Sequence, residues 1–244
     1  MDCTPELRLG RWQTALAGVE CDALICDPPY GDVTHAGNQG MNERFGDAAR
    51  SDLNYAHWTP DTVADFVAHW SPLVSGWMAC MTSDDLIGAY REAYRKAGRF
   101  SFAPVPVLQH RVRLGGDGPG SGAIYLMVAR PKRREFLSWG SLPCWYTPRG
   151  APAGNGHIGG KPLDLMRAIV RDYSRPGGLV VDPCSGGGTT LIAAAIEGRR
   201  SIGSEMDETT YAKAVERIAR GYTPVMRLPE VRGVQAGLDL AGGA

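Results

Sequence analysis

Short apolar runs alternate with amphipathic stretches along most of the chain. Residues 22–26 (DALIC), 76–82 (GWMACMT), 123–129 (AIYLMVA) and 178–183 (GLVVDP) are runs of strand length, apolar enough for burial, and residues 200–205 (RSIGSE) read as a further, more polar strand. Residues 103–110 (APVPVLQH) predict a strand too, but the prolines at 104 and 106 place it near a sheet edge. Between these runs the period changes. Residues 61–70 predict a helix starting near Thr59 or Asp61, and residues 84–98 a helix closed by Gly98. Residues 161–174 put Leu163, Met166, Ile169, Val170 and Tyr173 on one helical stripe, with Pro162 in the first turn. Two further helices follow, at 189–198 and at 207–221 with Asp207 as cap. This alternation predicts an α/β domain with a mostly parallel sheet covered by helices on both faces.

Three stretches lack such a pattern. Residues 31–58 and 130–156 are rich in glycine, proline and aromatics, and the tail from 221 to 244 ends in glycine and alanine. The two loops are candidate recognition elements, and the tail is expected to be loosely ordered. No repeat and no linker divides the chain, so residues 1–220 are expected to form a single catalytic domain. No run is long enough for a membrane span, and the N-terminus lacks the basic-then-apolar order of a secretory signal. Six cysteines without a C-x-x-C pair predict reduced thiols in a cytosol and no metal site.

Charge alters this picture in one respect. The 26 basic and 26 acidic side chains of the 244-residue chain cancel, but they are segregated. Basic residues crowd positions 91–149, opposed there only by Glu92, Asp117 and Glu135, whereas residues 1–65 are mainly acidic. Such a chain can turn a basic face to phosphate while neutral overall; solvated surface arginines are the plainer reading.

Two loops carry candidate chemistry. In VVDPCSGGGTT (180–190) a strand ends on Asp182, and glycines at 186, 187 and 188 let backbone N–H groups and a helix start approach a ligand. The next strand ends on Glu205, an acid that suits a pair of ribose hydroxyls. No G-K-[ST] follows the glycines, which disfavours a triphosphate and favours an uncharged or cationic nucleoside. In Asp27-Pro28-Pro29-Tyr30 an apolar strand stops on a carboxylate. The prolines donate no N–H, so the Asp27 carboxylate and the Pro28 carbonyl can face outward as fixed acceptors for the two N–H groups of an aromatic amine, with Tyr30 stacked on its ring. A proline turn closing a strand is the alternative.

DPPY, followed by HIGGKPLDLM, VVDPCSGGGTT and SIGSEMD in that order, resembles the amino-group DNA methyltransferases of the permuted β class, adenine-N6 type. The resemblance covers most of residues 6–220. It implies a Rossmann-like class I methyltransferase fold with a seven-stranded sheet and circularly permuted motif order. It further implies S-adenosylmethionine as cofactor, double-stranded DNA as partner and a flipped adenine as acceptor. Asp27, Pro28, Pro29 and Tyr30 would be catalytic. Asp27, Lys161, Pro162, Asp182, Pro183, Cys184, Gly186, Gly188, Thr189, Thr190, Glu205 and Met206 would line the cofactor, with Glu205 on its ribose and Lys161–Pro162 beside its methionine end. The chain departs from the family at Cys184, where an aromatic is usual, and at Arg11, which replaces an acid.

Recognition of DNA would fall to the loops. Arg130, Lys132, Arg133, Arg134, Trp139 and Trp145 interleave charge and aromatics, as phosphate contact and base stacking require, and His35 and Arg44 lie in the earlier loop. Trp139 and Trp145 as core or lid residues are the competing reading. Pro143-Cys144 and Pro183-Cys184 have the proline-cysteine order used in cytosine-C5 chemistry, but Cys184 belongs to the glycine loop and Cys144 lacks a supporting acid motif, which disfavours covalent catalysis. Cytosine-N4 is the alternative acceptor, and RNA adenine or a protein glutamine are acceptors of other classes that suit the same clamp. A pocket that binds without catalysing is opposed by the intact Asp27 and Glu205. A homodimer would give so short a chain more surface to embrace a duplex.

Overall fold

The computed structural model describes residues 3–31, 57–109, 122–133, 135–136, 139–148 and 160–221. Eight strands form one sheet: β1 (Glu6–Leu9), β2 (Ala23–Cys26), β3 (Met78–Thr82), β4 (Phe100–Ser101), β5 (Val105–Leu108), β6 (Ala123–Arg130), β7 (Leu179–Asp182) and β8 (Arg200–Glu205). Their spatial order is β1-β8-β7-β2-β3-β6-β4, with β5 also on β6. The pairs from β1 to β3 are all parallel, and β6 runs antiparallel to β3. β4 and β5 pair successive stretches of the same β6, so they are two pieces of one edge strand and the sheet has seven strand positions. The break falls at 102–104 and ends on Pro104; Pro106 then lies opposite Tyr125 on the sheet edge, where a missing N–H is tolerated.

Helices are α1 (Trp12–Ala15), α2 (Pro60–Trp70), α3 (Ile87–Lys96), α4 (Leu163–Tyr173), α5 (Thr189–Ile196) and α6 (Glu208–Ala219). Thr59 caps α2, its hydroxyl accepting from Thr62 N at 3.2 Å, and Asp207 caps α6 through Thr210 N at 2.7 Å. Pro162 stands one residue earlier than the pattern predicts, at the N-cap of α4, and accepts from Met166 N. Every residue of β2 and β3 is buried, as strands covered on both sides must be. One core layer joins Leu24, Cys26, Met78 and Cys80 to Phe66, Trp70, Tyr90 and Tyr94 of α2 and α3. The other joins Ile25, Ala79, Met81 and Val180 to Met166, Ile169 and Tyr173 of α4 and Ala193 and Ala194 of α5. No helix among the described residues is long and apolar enough to cross a membrane.

The amino end of the sheet is locked by a buried arginine. Arg99 donates to Ser71 Oγ and Ser71 O at 2.8 Å, to Gly76 O at 2.7 Å and to Val74 O, satisfying the carbonyls of the turn that leads into β3. Desolvation lowers its pKa from the ordinary arginine value.

The carboxyl end is knitted across β7 and β8. Ser185 N donates to Ser204 O, Ser185 Oγ to Asp182 O, and Ser204 Oγ to Pro183 O, all at 2.8–2.9 Å. A Cβ at Gly203 would lie 2.0 Å from Ser185 Oγ and 2.7 Å from Asp182 O, so this turn can approach β8 only over a glycine. Gly203→Ala is expected to destabilise the protein by about 1–3 kcal/mol, as overpacking at a rigid contact does. The measurement is the urea midpoint, and an unchanged midpoint would contradict this account.

Candidate active site

β7 leads through α5 to β8 on one side, and β2 leads through α2 to β3 on the other, yet β7 and β2 are parallel neighbours. Chain direction therefore diverges between them, which opens a crevice at their carboxyl ends. Asp182 ends β7 and Asp27 follows β2, so the topology sets both acids at this opening.

On the β7 side, Gly186 and Gly188 adopt left-handed φ values of 49° and 73°, and Gly188 is the N-cap of α5. Glu205 faces this turn from the tip of β8. Its Oε2 accepts from Gly186 N at 3.0 Å and its Oε1 from Asp207 N at 2.9 Å. One backbone donor per oxygen fixes the carboxylate and leaves each oxygen a lone pair for a diol, so the residues present fit a nucleoside ligand. Cys184 is half-buried beside the turn and Met206 is exposed beside Glu205. Pro183, Thr189 and Thr190 are buried and support the turn from behind: Thr190 hydrogen-bonds Asp182, and Thr189 Oγ1 accepts from Arg217 at 2.9 Å.

Arg217, from α6, also donates to Gly187 O at 2.7 Å. Pattern reading missed it, because its partner lies 30 residues away and no local signal marks it. The Cys26 and Cys184 thiols touch across the crevice, and burial raises the Cys26 thiol well above its ordinary value. At Cys184 a small thiol thus packs where the family resemblance leads one to expect a ring.

Asp182 is fully buried. Burial, aided by the nearby Asp27 charge, raises its carboxyl to about 7, against hydrogen bonds from Thr190, Cys184 N and Cys26 that act the other way.

On the β2 side, Asp27 is engaged through both oxygens. Oδ1 accepts from the Tyr30 hydroxyl at 2.8 Å, and Oδ2 from Lys161 Nζ at 2.6 Å. The Lys161 ammonium also stands 5.0 Å from the centre of the Tyr30 ring. Pro28 is buried, and Pro29 and Tyr30 are half-buried. The turn is pinned at its far end, where Gly31 N donates to Ser83 Oγ at 3.1 Å and Trp58 N to Tyr30 O at 3.1 Å. A Cβ at Gly31 would lie 1.9 Å from Asp85 Oδ2, so glycine is required for this close approach too.

The expected DNA contacts fare differently. β6 is antiparallel to β3, so Arg130 at its end, with Lys132 and Arg133 beyond, stands at the opposite edge of the sheet from Asp27. Lys132 and Arg133 line a cleft of about 600 Å³ there with Asp22, Arg99 and Arg200, remote from the crevice. Arg130 covers Phe100 and Phe102 at 5.2 and 5.6 Å. The structure does not bring these three together with Asp27, and the basic run is not one face: Arg95 pairs with Glu92 and Arg99 is buried.

Trp139 is a structural pillar rather than a stacking platform. Its Nε1 donates to Asp172 O at 2.8 Å, its ring stacks on Phe136, and the Arg175 guanidinium lies 3.9 Å above it. Trp145, 59% exposed, is at the same edge as Asp27, since its neighbour Tyr146 bridges Val107 near the end of β5. His35, Arg44 and Arg134 lie outside the described residues.

Residues 125–216 match the N6/N4 family of DNA methylases, a segment running from β6 to α6 that does not include Asp27. Over 62 residues the chain is 39% identical to the type II methyltransferase M.HindIII of Haemophilus influenzae (25% of this chain, 20% of that protein). Over 108 residues it is 34% identical to M.EcaI of Enterobacter cloacae (40% and 24%). The matched parts thus span about a fifth to a quarter of these relatives' lengths.

Among solved structures, the M1.HpyAVI–SAM complex superposes with a TM-score of 0.63 at 18% identity, covering 88% of this chain and 98% of that one. PvuII DNA methyltransferase, cytosine-N4-specific, gives 0.60 at 14% identity, covering 89% and 90%. The fold is therefore the Rossmann-like methyltransferase fold.

The buried Asp182 carboxyl has a pH consequence. Its folded pKa lies above the unfolded value near 4, so the fold binds the proton more tightly and stability falls as pH rises from about 4 to about 7. Asp182→Asn removes this slope and should gain stability relative to wild type at pH 8 but not at pH 4. Urea unfolding at both pH values checks it, and an equal effect at the two would count against the assignment.

Proposed function

We propose that the chain is an S-adenosylmethionine-dependent DNA methyltransferase that acts on the exocyclic amine of a base swung out of duplex DNA, with adenine N6 as the acceptor. The observation that carries this reading is the juxtaposition, across the β7/β2 crevice, of a proline-bordered carboxylate with a glycine turn backed by Glu205. The match of residues 125–216 to a DNA methylase family supports it, as does the order of motifs, DPPY before the glycine turn, which suits the permuted β class.

Glu205, Gly186 and Gly188 would hold the nucleoside part of the cofactor, with Met206 and Cys184 against its base. When bound, S-adenosylmethionine supplies a methyl group carried on a sulfonium. Asp27 and the Pro28 carbonyl accept the two N–H groups of the target amine, which turns its lone pair out of ring conjugation and towards the methyl. Tyr30 supports the ring, and the buried Pro28 keeps both acceptors fixed. Rate enhancement then comes chiefly from orientation rather than from a strong base. Extrusion of the base costs a few kcal/mol, which stacking and these hydrogen bonds offset. On the DNA side Trp145 is the exposed aromatic at the productive edge, and a second copy of the chain would extend the contact surface.

Cytosine-N4 is the second reading, favoured by the likeness to the cytosine-N4-specific PvuII enzyme. Plasmid DNA treated with protein and cofactor, digested to nucleosides and weighed by mass spectrometry, separates N6-methyladenine from N4-methylcytosine; RNA and protein acceptors run in parallel test the other classes. Asp27→Ala is expected to keep binding cofactor while methyl transfer drops by about 10²-fold or more, the usual cost of a lost oriented polar contact in a site. Wild-type turnover in that variant would sink the mechanism.

A further inference from the structure

In this structure the Asp27 clamp is closed. Lys161 Nζ lies 2.6 Å from Asp27 Oδ2, and both side chains are largely shielded, with exposures of 16% and 22%. A target amine needs that oxygen. The same ammonium sits 5.0 Å from the Tyr30 ring centre, over the aromatic surface on which a target base would stack. Tyr30 in turn donates to the other Asp27 oxygen. Lys161 thus takes up two positions that the substrate must occupy, as a nitrogen donor at the carboxylate and as a cation over the ring. A shielded ion pair of this kind does not yield to a neutral amine, because removing one partner leaves a buried charge uncompensated.

We propose that Lys161 is the gate of the amine clamp: it closes Asp27 in the free protein and opens it by moving to the α-carboxylate of the incoming cofactor. This rests on the reading of the site as an S-adenosylmethionine-dependent methyltransferase and adds an order of events to it. The exchange is charge-balanced. Lys161 would leave one carboxylate for another, and the cation carried by the bound cofactor would compensate the released Asp27. Lys161 can move because it precedes α4 rather than belonging to it, with Pro162 at the N-cap marking where the rigid element begins. Base capture is thereby conditional on a loaded cofactor, which prevents an extruded base from being held where no methyl donor is present. Lys161 is a positioning residue, acting through Asp27.

Two binding measurements test this without turnover. S-adenosylmethionine and its decarboxylated form are titrated calorimetrically into wild type, Lys161→Arg and Lys161→Met. Wild type and Lys161→Arg are expected to prefer the carboxylate-bearing ligand by about tenfold, and Lys161→Met to bind the two about equally. Capture of 9-methyladenine and 1-methylcytosine is then followed by saturation-transfer NMR with and without S-adenosylhomocysteine. Wild type should hold its base only when the cofactor product is present, and Lys161→Met should hold it in both conditions.

A Lys161→Met protein that keeps the tenfold preference, or a wild type whose base capture ignores the cofactor, overturns the gate. A wild type that shows both dependences but yields no methylated nucleoside from DNA refutes the proposed function and leaves the gate standing. A wild type that binds neither cofactor form refutes both.

Discussion

The parallel pairing of β2 with β7 is the constraint on which the site depends. Neither strand is unusual alone: each is four residues long and nearly or wholly buried, and apart from the acid that ends β7 both are apolar. Their adjacency brings together residues 157 positions apart, and the opposite courses of the connections that leave them keep the space at their carboxyl ends free of backbone. The acid that follows β2 and the acid that ends β7 then share one crevice. Their mutual proximity is felt in the raised carboxyl of Asp182, which burial and the Asp27 charge together disfavour as an anion.

Around this opening, rigidity and adaptability are divided. The glycine turn is tied to β8 by Ser185 and Ser204, to α6 by Arg217 and to Glu205 through Gly186 N. The proline turn is held by Ser83 and by Trp58. The proposed gate, Lys161, meets this scaffold only at a side-chain tip, where its ammonium holds Asp27. A scaffold of this kind orients polar atoms before a ligand arrives, which is the condition under which few hydrogen bonds have a large effect on rate.

Much of this was legible in the sequence, for identifiable reasons. Strands buried on both faces announce themselves as apolar runs, so β2, β3, β6 and β7 could be read directly, and the stripe on α4 marks its buried side. β1 could not, because Glu6 and Arg8 alternate with leucines in a short edge strand that shows no apolar run. The acids and glycines of the site were visible because backbone chemistry restricts which residues can stand there. The basic cluster misled, since composition carries no direction: only the antiparallel course of β6 reveals that Arg130 points away from the chemistry. Trp139 misled for a related reason. A tryptophan among arginines suits a stacking surface, yet here the arginine above it, Arg175, comes from another part of the chain and the pair belongs to the scaffold. The Lys161–Asp27 contact bridges 134 residues and has no local signature at all.

The contact of α6 with β1 has a consequence for the history of such chains. The first strand and the last helix of the described body lie against each other, and β1 pairs with β8, the strand immediately before that helix. A covalent link between these two elements would be short, and a new opening could be cut in any exposed connection without disturbing the crevice. The sequence order of the halves that carry the proline turn and the glycine turn is therefore mechanically neutral. Either order of the two halves leaves the pairing of β2 with β7, and so the crevice, intact.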